Sequence, residues 1–168
     1  MDIKSLTSLK GLENQFLTLL TDCVESGASV GFLTPIDNTE LTDYWQGVEA
    51  DLASNRRKLF AVLDEDKLVA CMQLSLCSKA NGRHRGEVEK LMVATSHQGQ
   101  GISKKLMAFM ESVAIETGIS LLVLDTRLGD VASSLYRAIG FTEAGQIPNF
   151  ALSSNGQFEG TVFFYKPI

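Results

Sequence analysis

The sequence is poor in the features that mark membrane, metal and nucleic-acid proteins. No apolar run approaches the roughly 20 residues that a membrane-spanning helix needs. The opening stretch MDIKSLTSLKGLENQFL lacks the basic-then-apolar layout of a secretory signal. A cytoplasmic protein with no membrane partner is the expectation. Cysteine is scarce: Cys23, Cys71 and Cys77 form no CxxC pair, and the two histidines, His84 and His97, lie apart. That pattern lacks the common metal-ligand spacings, so we expect no metal and read the thiols as reduced and packed. Acids outnumber bases, 20 Asp and Glu against 15 Lys and Arg, for a formal charge of -5. A general nucleic-acid binder would show a basic face, so no nucleic-acid partner is expected. Internal repeats and long linkers are also missing.

What is present is an ordinary globular composition, 45% hydrophobic and 21% charged over 168 residues. That length suits a single domain spanning residues 1–168, with a sizeable core. Residues 2–7 read as a short strand. Leu9, Leu12, Phe16, Leu19, Leu20 and Cys23 recur at helical spacing over residues 8–26. A glycine-rich link, GASVGFLTPIDNTE, comes next, and Asn38 or Thr39 is expected to cap a second helix carrying Tyr44, Trp45, Val48 and Leu52.

Residues 59–63 and 67–77 read as antiparallel strands joined by the turn DEDK, and residues 87–94 as the next strand beyond an Asn81-Gly82 turn. Ile102, Leu106, Phe109, Met110, Val113 and Ala114 make one face of a helix over 102–117, closed by Gly118. The apolar run 121–124 suggests a strand buried on both faces. A short helix over 131–139 and strands over 141–147 and 160–165 complete the chain. Antiparallel strands come first, then strand, helix, strand, helix, strand. That order predicts an α/β (α+β layered) domain.

The stretch VATSHQGQGISKKLM asks for a ligand. Gln98-Gly99-Gln100-Gly101 lies between a strand and a helix, where backbone N–H groups point outward and the helix dipole adds positive potential. Glycine lets the backbone approach a ligand closely. Lys104 and Lys105 add charge in the first turn, so a pyrophosphate fits. The stretch is neither GxxxxGK[ST] nor GxGxxG, which argues against the common nucleotide and dinucleotide loops.

Val93, Gln98, Gly101 and Ser103 together resemble the acetyl-CoA-binding motif Q/R-x-x-G-x-G/A of the GNAT superfamily of N-acetyltransferases. Ser103 stands where Gly or Ala is usual. A second stretch, LDTRLGDVASSLYRAIGF, is similar to that family's A-x-x-L-Y-x-x-x-G-F ending through Ala132, Leu135, Tyr136, Gly140 and Phe141. Gly129 stands where a loop asparagine is common. GASVGF, QLSLCSKANG, EVEKLMV and the C-terminal segment look like the tabtoxin-resistance branch of the family, from about residue 27 to the end.

The resemblance implies a GNAT-like fold: a mixed, mostly antiparallel twisted sheet of about six to seven strands flanked by about four helices. It implies transfer of acetyl from acetyl-CoA, as cosubstrate, to a primary amine, by direct attack in a ternary complex. Main-chain groups of Leu91, Met92 and Val93 would receive the donor's acetyl oxygen and pantetheine amides. Gln98, Gly99, Gln100, Gly101, Ile102, Ser103 and Lys104 would receive its pyrophosphate. Glu87 and Asp125 look like the family's acidic pair, holding the ammonium and taking its proton through water, with Glu89 on the same strand face as an alternate. Tyr136 would protonate the leaving thiolate.

Simpler readings stand beside these. Glu87 could pair with Arg83 or Arg85, Asp125 could cap a turn, and Tyr136 could be packing. A covalent route through Cys71 or Cys77 lacks a neighbouring activator. The link from Gly27 to Trp45, with Asp37, Asp43, Tyr44 and Trp45, is the place to expect an acidic, aromatic acceptor pocket, or else Tyr44 and Trp45 are helix core. The expected acceptor is a small-molecule amine, with a toxin such as tabtoxinine-β-lactam as one candidate, and the expected assembly a monomer or homodimer. Alternatives are a protein or peptide N-acetyltransferase and a non-catalytic acetyl-CoA-binding regulatory domain.

Overall fold

Leu59, Phe60, Ala61 and Val62 are all buried, yet they feed two different cores. Successive side chains of a strand point to opposite faces, so an unbroken apolar run needs cover on both sides. Phe60 and Val62 join Leu106, Met107, Met110 and Ala114 in one core. Leu59 and Ala61 join Phe16, Leu20, Trp45 and Val48 in the other.

A computed structural model describes residues 1–168. Its strands are β1 (Asp2–Leu6), β2 (Arg57–Asp64), β3 (Lys67–Leu76), β4 (Arg85–Val93), β5 (Leu121–Arg127), β6 (Thr142–Leu152) and β7 (Phe158–Pro167). Its helices are α1 (Glu13–Glu25), α2 (Asn38–Ala53), α3 (Ile102–Glu116) and α4 (Ala132–Ala138). The strands form one sheet in the order β1-β2-β3-β4-β5-β7-β6. Every neighbouring pair is antiparallel except β4 and β5. The expected GNAT-like architecture, about six to seven strands flanked by about four helices, is observed with seven strands and four helices.

Several boundaries differ from the sequence reading. α1 begins at Glu13 rather than at residue 8. Asp37, not Asn38 or Thr39, caps α2: its Oδ1 accepts from the Thr39 and Glu40 amides at 2.8 and 3.4 Å. β5 continues to Arg127, and only Leu122 and Leu124 of its apolar run are fully buried. The second core draws buried strand residues from β2, β3 and β4 but none from β5, which leaves Leu121 and Val123 half-covered. β6 extends to Leu152 and is exposed throughout, as an edge strand paired on one side only.

The pairing of β4 with β5 is short. It comprises Arg85↔Leu121, Gly86↔Leu122 and Glu87↔Val123, after which the strands part. The cause lies on the other edge of β4. Cys71 is opposite Met92, but Gln73 is opposite Glu89, so β4 holds one residue more than β3 across this interval. Lys90 absorbs the extra residue with a left-handed φ of 53°. Such a bulge bends a strand and rotates the residues beyond it. Val88 consequently packs in the α3 core while Met92, four residues later, packs in the α1–α2 core.

Gly86 occupies the middle row of the short β4–β5 pairing, and a Cβ there would meet Leu74 Cδ1 at 2.7 Å and Cγ at 3.1 Å. Leu74 is fully buried and cannot swing aside. We expect Gly86→Ala to lower unfolding free energy by about 1–3 kcal/mol in urea titration, with an unchanged m-value. Wild-type stability would show that the sheet yields here.

Candidate active site

Beyond Glu87 the main chain of β4 has no strand partner on its β5 side. The gap opens into a cavity of ≈ 690 Å³, walled by Val88–Val93 on one side and Asp125–Arg127 on the other. That volume suits a small ligand. The Gly27–Asp37 link closes over one end: the Thr34 amide donates to Ser154 Oγ at 3.1 Å, and Arg127 Nη1 donates to the Gly27 carbonyl at 3.2 Å.

At the other end lies the glycine-rich turn. The Asp22 carboxylate of α1 fixes its approach, accepting from the Thr95 amide at 2.7 Å and the Thr95 hydroxyl at 2.8 Å. Gln98 folds back, its Nε2 donating to the Val93 carbonyl at 3.3 Å. Gly99 and Gly101 adopt φ of 75° and 73°. These left-handed conformations are strained for a side-chain-bearing residue. No heavy atom lies within 4 Å of where a Cβ would stand at either one.

The first backbone bond of α3 runs from the Lys105 amide to the Gly101 carbonyl, and the amides of residues 100–104 donate to nothing in the chain. Free helix-terminal amides beneath open space, with Lys104 alongside, fit the pyrophosphate of acetyl-CoA. Gln98, Gly99, Gly101, Ile102, Ser103 and Lys104 line the cavity, as do Leu91, Met92 and Val93. Gln100 does not.

Strand register gathers the acids. Glu87 is opposite Ser75 and Val123, and Glu89 is opposite Gln73. Glu87, Glu89 and Asp125 therefore share the face opposite α3. Their partners separate them. Glu89 accepts from Ser75 Oγ at 2.7 Å and from Arg57 Nη1 at 2.8 Å. Asp125 Oδ2 accepts from the Thr161 hydroxyl at 2.8 Å rather than capping the turn before α4, which Asp130 does by accepting from the Ala132 amide at 3.3 Å. Glu87 has no ion pair; Arg85 instead reaches Cys77 Sγ at 3.5 Å. Partial burial, then Glu89 and Asp125, raise the Glu87 pKa above the usual carboxylate range. Asp125 and Glu89 line the cavity, whereas Glu87 stands just outside it, in the last paired row.

Tyr136 projects from α4 into the cavity wall, 6% exposed, with ring centroids of Phe141 and Phe164 at 5.8 and 5.9 Å. Its phenol makes no hydrogen bond within the chain. Burial first, then Asp130 and Asp125, push its pKa up to about 12, so it carries its proton at neutral pH.

The comparison with known families agrees with this geometry. The model of the acetyltransferase (GNAT) family matches residues 19–141. This chain belongs to the GNAT acetyltransferase family. Its fold is similar to that of a ribosomal-protein-alanine N-acetyltransferase from Brucella melitensis, at TM-score 0.85 and 22% identity over 100% of both chains. It is also similar to an N-acetyltransferase from Staphylococcus aureus Mu50, at TM-score 0.82 and 17% identity over 99% of each chain. A Salmonella typhimurium protein solved with its cofactor acetyl-CoA matches at TM-score 0.78 and 17% identity, over 99% of this chain and 94% of that one. At these identities the likeness is one of fold.

GNAT membership leaves the acceptor side to be read from the chain itself, and here the structure chooses between the two readings of the link. Trp45 is buried against Phe16, with centroids 4.8 Å apart. Asp37 is occupied as the α2 cap, and Asp43 and Tyr44 border a separate shallow depression. Of the link, residues 28–31 line the cavity. For Trp45 the helix-core reading holds, because the amphipathic period of α2 turns it inward. The two buried thiols are poor nucleophiles. Burial raises Cys71 far above the usual thiol range, and lifts Cys23, which touches the cavity, to about 11.

Lys90, Arg127, Glu159 and Thr161 also line the cavity, and no sequence motif points to them. A lysine inside the strand EVEKLMV is the one available signal. Gly101→Ala should weaken acetyl-CoA binding about tenfold by calorimetric titration, since a left-handed alanine costs about 1–2 kcal/mol and crowds the approach to the free amides. Unchanged affinity would remove this turn from the donor site.

Proposed function

We propose that this protein moves acetyl from acetyl-CoA to the primary amine of a small molecule, by direct attack of the amine in a ternary complex. One observation carries the reading: a single cavity joins the turn of free amides to Asp125 and the Tyr136 phenol, with the unpaired Glu87 just outside it in the last paired row. The bond from Thr34 to Ser154 ties the Gly27–Asp37 link to the turn between β6 and β7, and we take this tether to favour a small acceptor over an extended chain.

The residues divide the work by their surroundings. Acetyl-CoA supplies an activated acyl group and a thiolate leaving group. Amides 100–104 and Lys104 hold its pyrophosphate, and main-chain groups of Leu91, Met92 and Val93 face its acyl arm. Asp125, fixed by Thr161, holds the incoming ammonium. Glu87 takes the ammonium proton through water; it is free of partners, and its raised pKa makes it a stronger base than an ordinary glutamate. As the amine nitrogen bonds to the acyl carbon, the carbon–sulfur bond breaks, and Tyr136 gives its proton to the departing sulfur; the second proton shed by the new amide nitrogen restores the phenol.

These roles have separable consequences. The acid limb of kcat/KM should lie above the usual glutamate range, with activity rising as Glu87 loses its proton. Glu87→Gln should lower kcat about 10²-fold or more and abolish that limb, leaving acetyl-CoA binding intact. An acid limb that survives in Glu87→Gln would assign the base elsewhere. Tyr136→Phe should lower kcat by about 10²-fold with little change in KM, and wild-type kcat would make the tyrosine packing alone.

The acceptor class is tested by CoA release with amino acids, polyamines, aminoglycosides, short peptides and tabtoxinine-β-lactam, the last because of the resemblance to the tabtoxin-resistance branch. Turnover confined to peptides would overturn the small-molecule reading. Tight acetyl-CoA binding without any acceptor would favour a regulatory acetyl-CoA-binding domain.

A further inference from the structure

Four cations border the cavity region, and three are accounted for. Lys104 is exposed on the first turn of α3, beside the free amides. Arg127 is engaged by Asp130 at 3.5 Å, by Glu159 at 3.4 Å and by the Gly27 carbonyl. Arg57, behind the wall, binds Glu89 and Asp51. Lys90 is different. It lines the cavity half-buried, and no carboxylate oxygen comes within 4.0 Å of its Nζ. Its neighbour Glu89 cannot serve, because Ser75 and Arg57 already hold both oxygens.

What surrounds the Lys90 ammonium is a socket rather than a partner. Nζ stands 5.4 Å from the ring centroid of Tyr44 and 5.8 Å from that of Phe32. At Gly31 a Cβ would lie 3.4 Å from it. Aromatic faces steady a cation but leave its charge without a counterion. The left-handed φ at Lys90 marks the bulge that parts β4 from β5, so the side chain starts at the opening itself. The cavity thus carries Asp125 on the β5 side and, under the Gly27–Asp37 link, an ammonium without a salt-bridge partner; Glu89 beside it is already held by Ser75 and Arg57, and Arg127 by Asp130 and Glu159.

We propose that Lys90 sets acceptor specificity: it binds the carboxylate of an acceptor carrying both an amine and a carboxylate, of the α-amino-acid class. This rests on the acetyltransferase reading above. The lining is bipolar, and a zwitterion is complementary to it at both ends. A simple amine would leave Lys90 unpaired, and a polyamine would set a second positive charge against it.

The test uses matched acceptors that differ by the carboxylate alone: phenylalanine with 2-phenylethylamine, arginine with agmatine, and methionine with its decarboxylated amine. In the wild type, kcat/KM should favour at least one amino acid over its partner by about tenfold or more. Lys90→Met keeps the stem and removes the charge. It should erase that preference by lowering kcat/KM for the amino acid about tenfold, leaving the decarboxylated amine within about twofold. Acetyl-CoA affinity and thermal midpoint, measured on the same samples, report folding. An equal fall for both members of a pair, or no preference in the wild type, overturns the role of Lys90 while acetyl transfer stands. Acetyl-CoA binding without turnover of any pair also overturns it. Failure to bind acetyl-CoA at all overturns the underlying reading instead.

Discussion

Hydrogen bonding between β4 and β5 stops after Glu87, and most of the site depends on that interruption. Two parallel strands that stayed paired would leave no cavity between them and no unpaired main chain along Val88–Val93. The single-residue bulge at Lys90 makes the separation, bending β4 while its other edge stays bound to β3. The same bulge reverses the facing of the residues beyond it, so Met92 enters the α1–α2 core. Packing on that side then anchors the bend. One irregularity thus links core packing, cavity and the direction in which Lys90 points.

Around the opening, acids are crowded and then given different tasks. Glu87, Glu89 and Asp125 share one face, and the two neighbours help to raise the Glu87 pKa. Arg57 resolves much of the crowding. It donates to Glu89 and, at 2.6 Å, to Gln73 Oε1, which also accepts from the Tyr44 phenol at 3.0 Å. Tyr44, which the sequence offered as an acceptor contact or as core, becomes a support of this network and a wall of the Lys90 socket. Glu87 is left without a partner. Desolvation, with Glu89 and Asp125 nearby, makes it hold its proton more tightly, as the proposed base requires.

Much of this was legible in the sequence, unevenly. The layered architecture was legible from the order of elements and from the apolar runs Leu59–Leu63 and Leu68–Met72, while α1 and α3 are apolar on one stripe. The anion turn was legible because left-handed glycines at the start of a helix leave a chemical signature. The α2 cap was misplaced by one or two residues because Asp37, Asn38 and Thr39 are all competent caps, and only the backbone path chooses among them. The acceptor lining stayed open between a pocket and helix core for a related reason. Asp37 and Trp45 have the right chemistry for a cationic amine, but a helix cap and a helical period claimed them first.

The sequence by itself determined the layers, the helix-terminal anion turn and the identity of the carboxylates and phenol, because periodicity, glycine and side-chain chemistry are local properties. Only the tertiary structure decided which carboxylate is free, which cation lacks a counterion and where the sheet opens. Those depend on register across β3, β4 and β5 and on contacts such as Arg57 with Glu89, separated by 32 residues in the chain. No local pattern encodes a partner that arrives only when the sheet has formed.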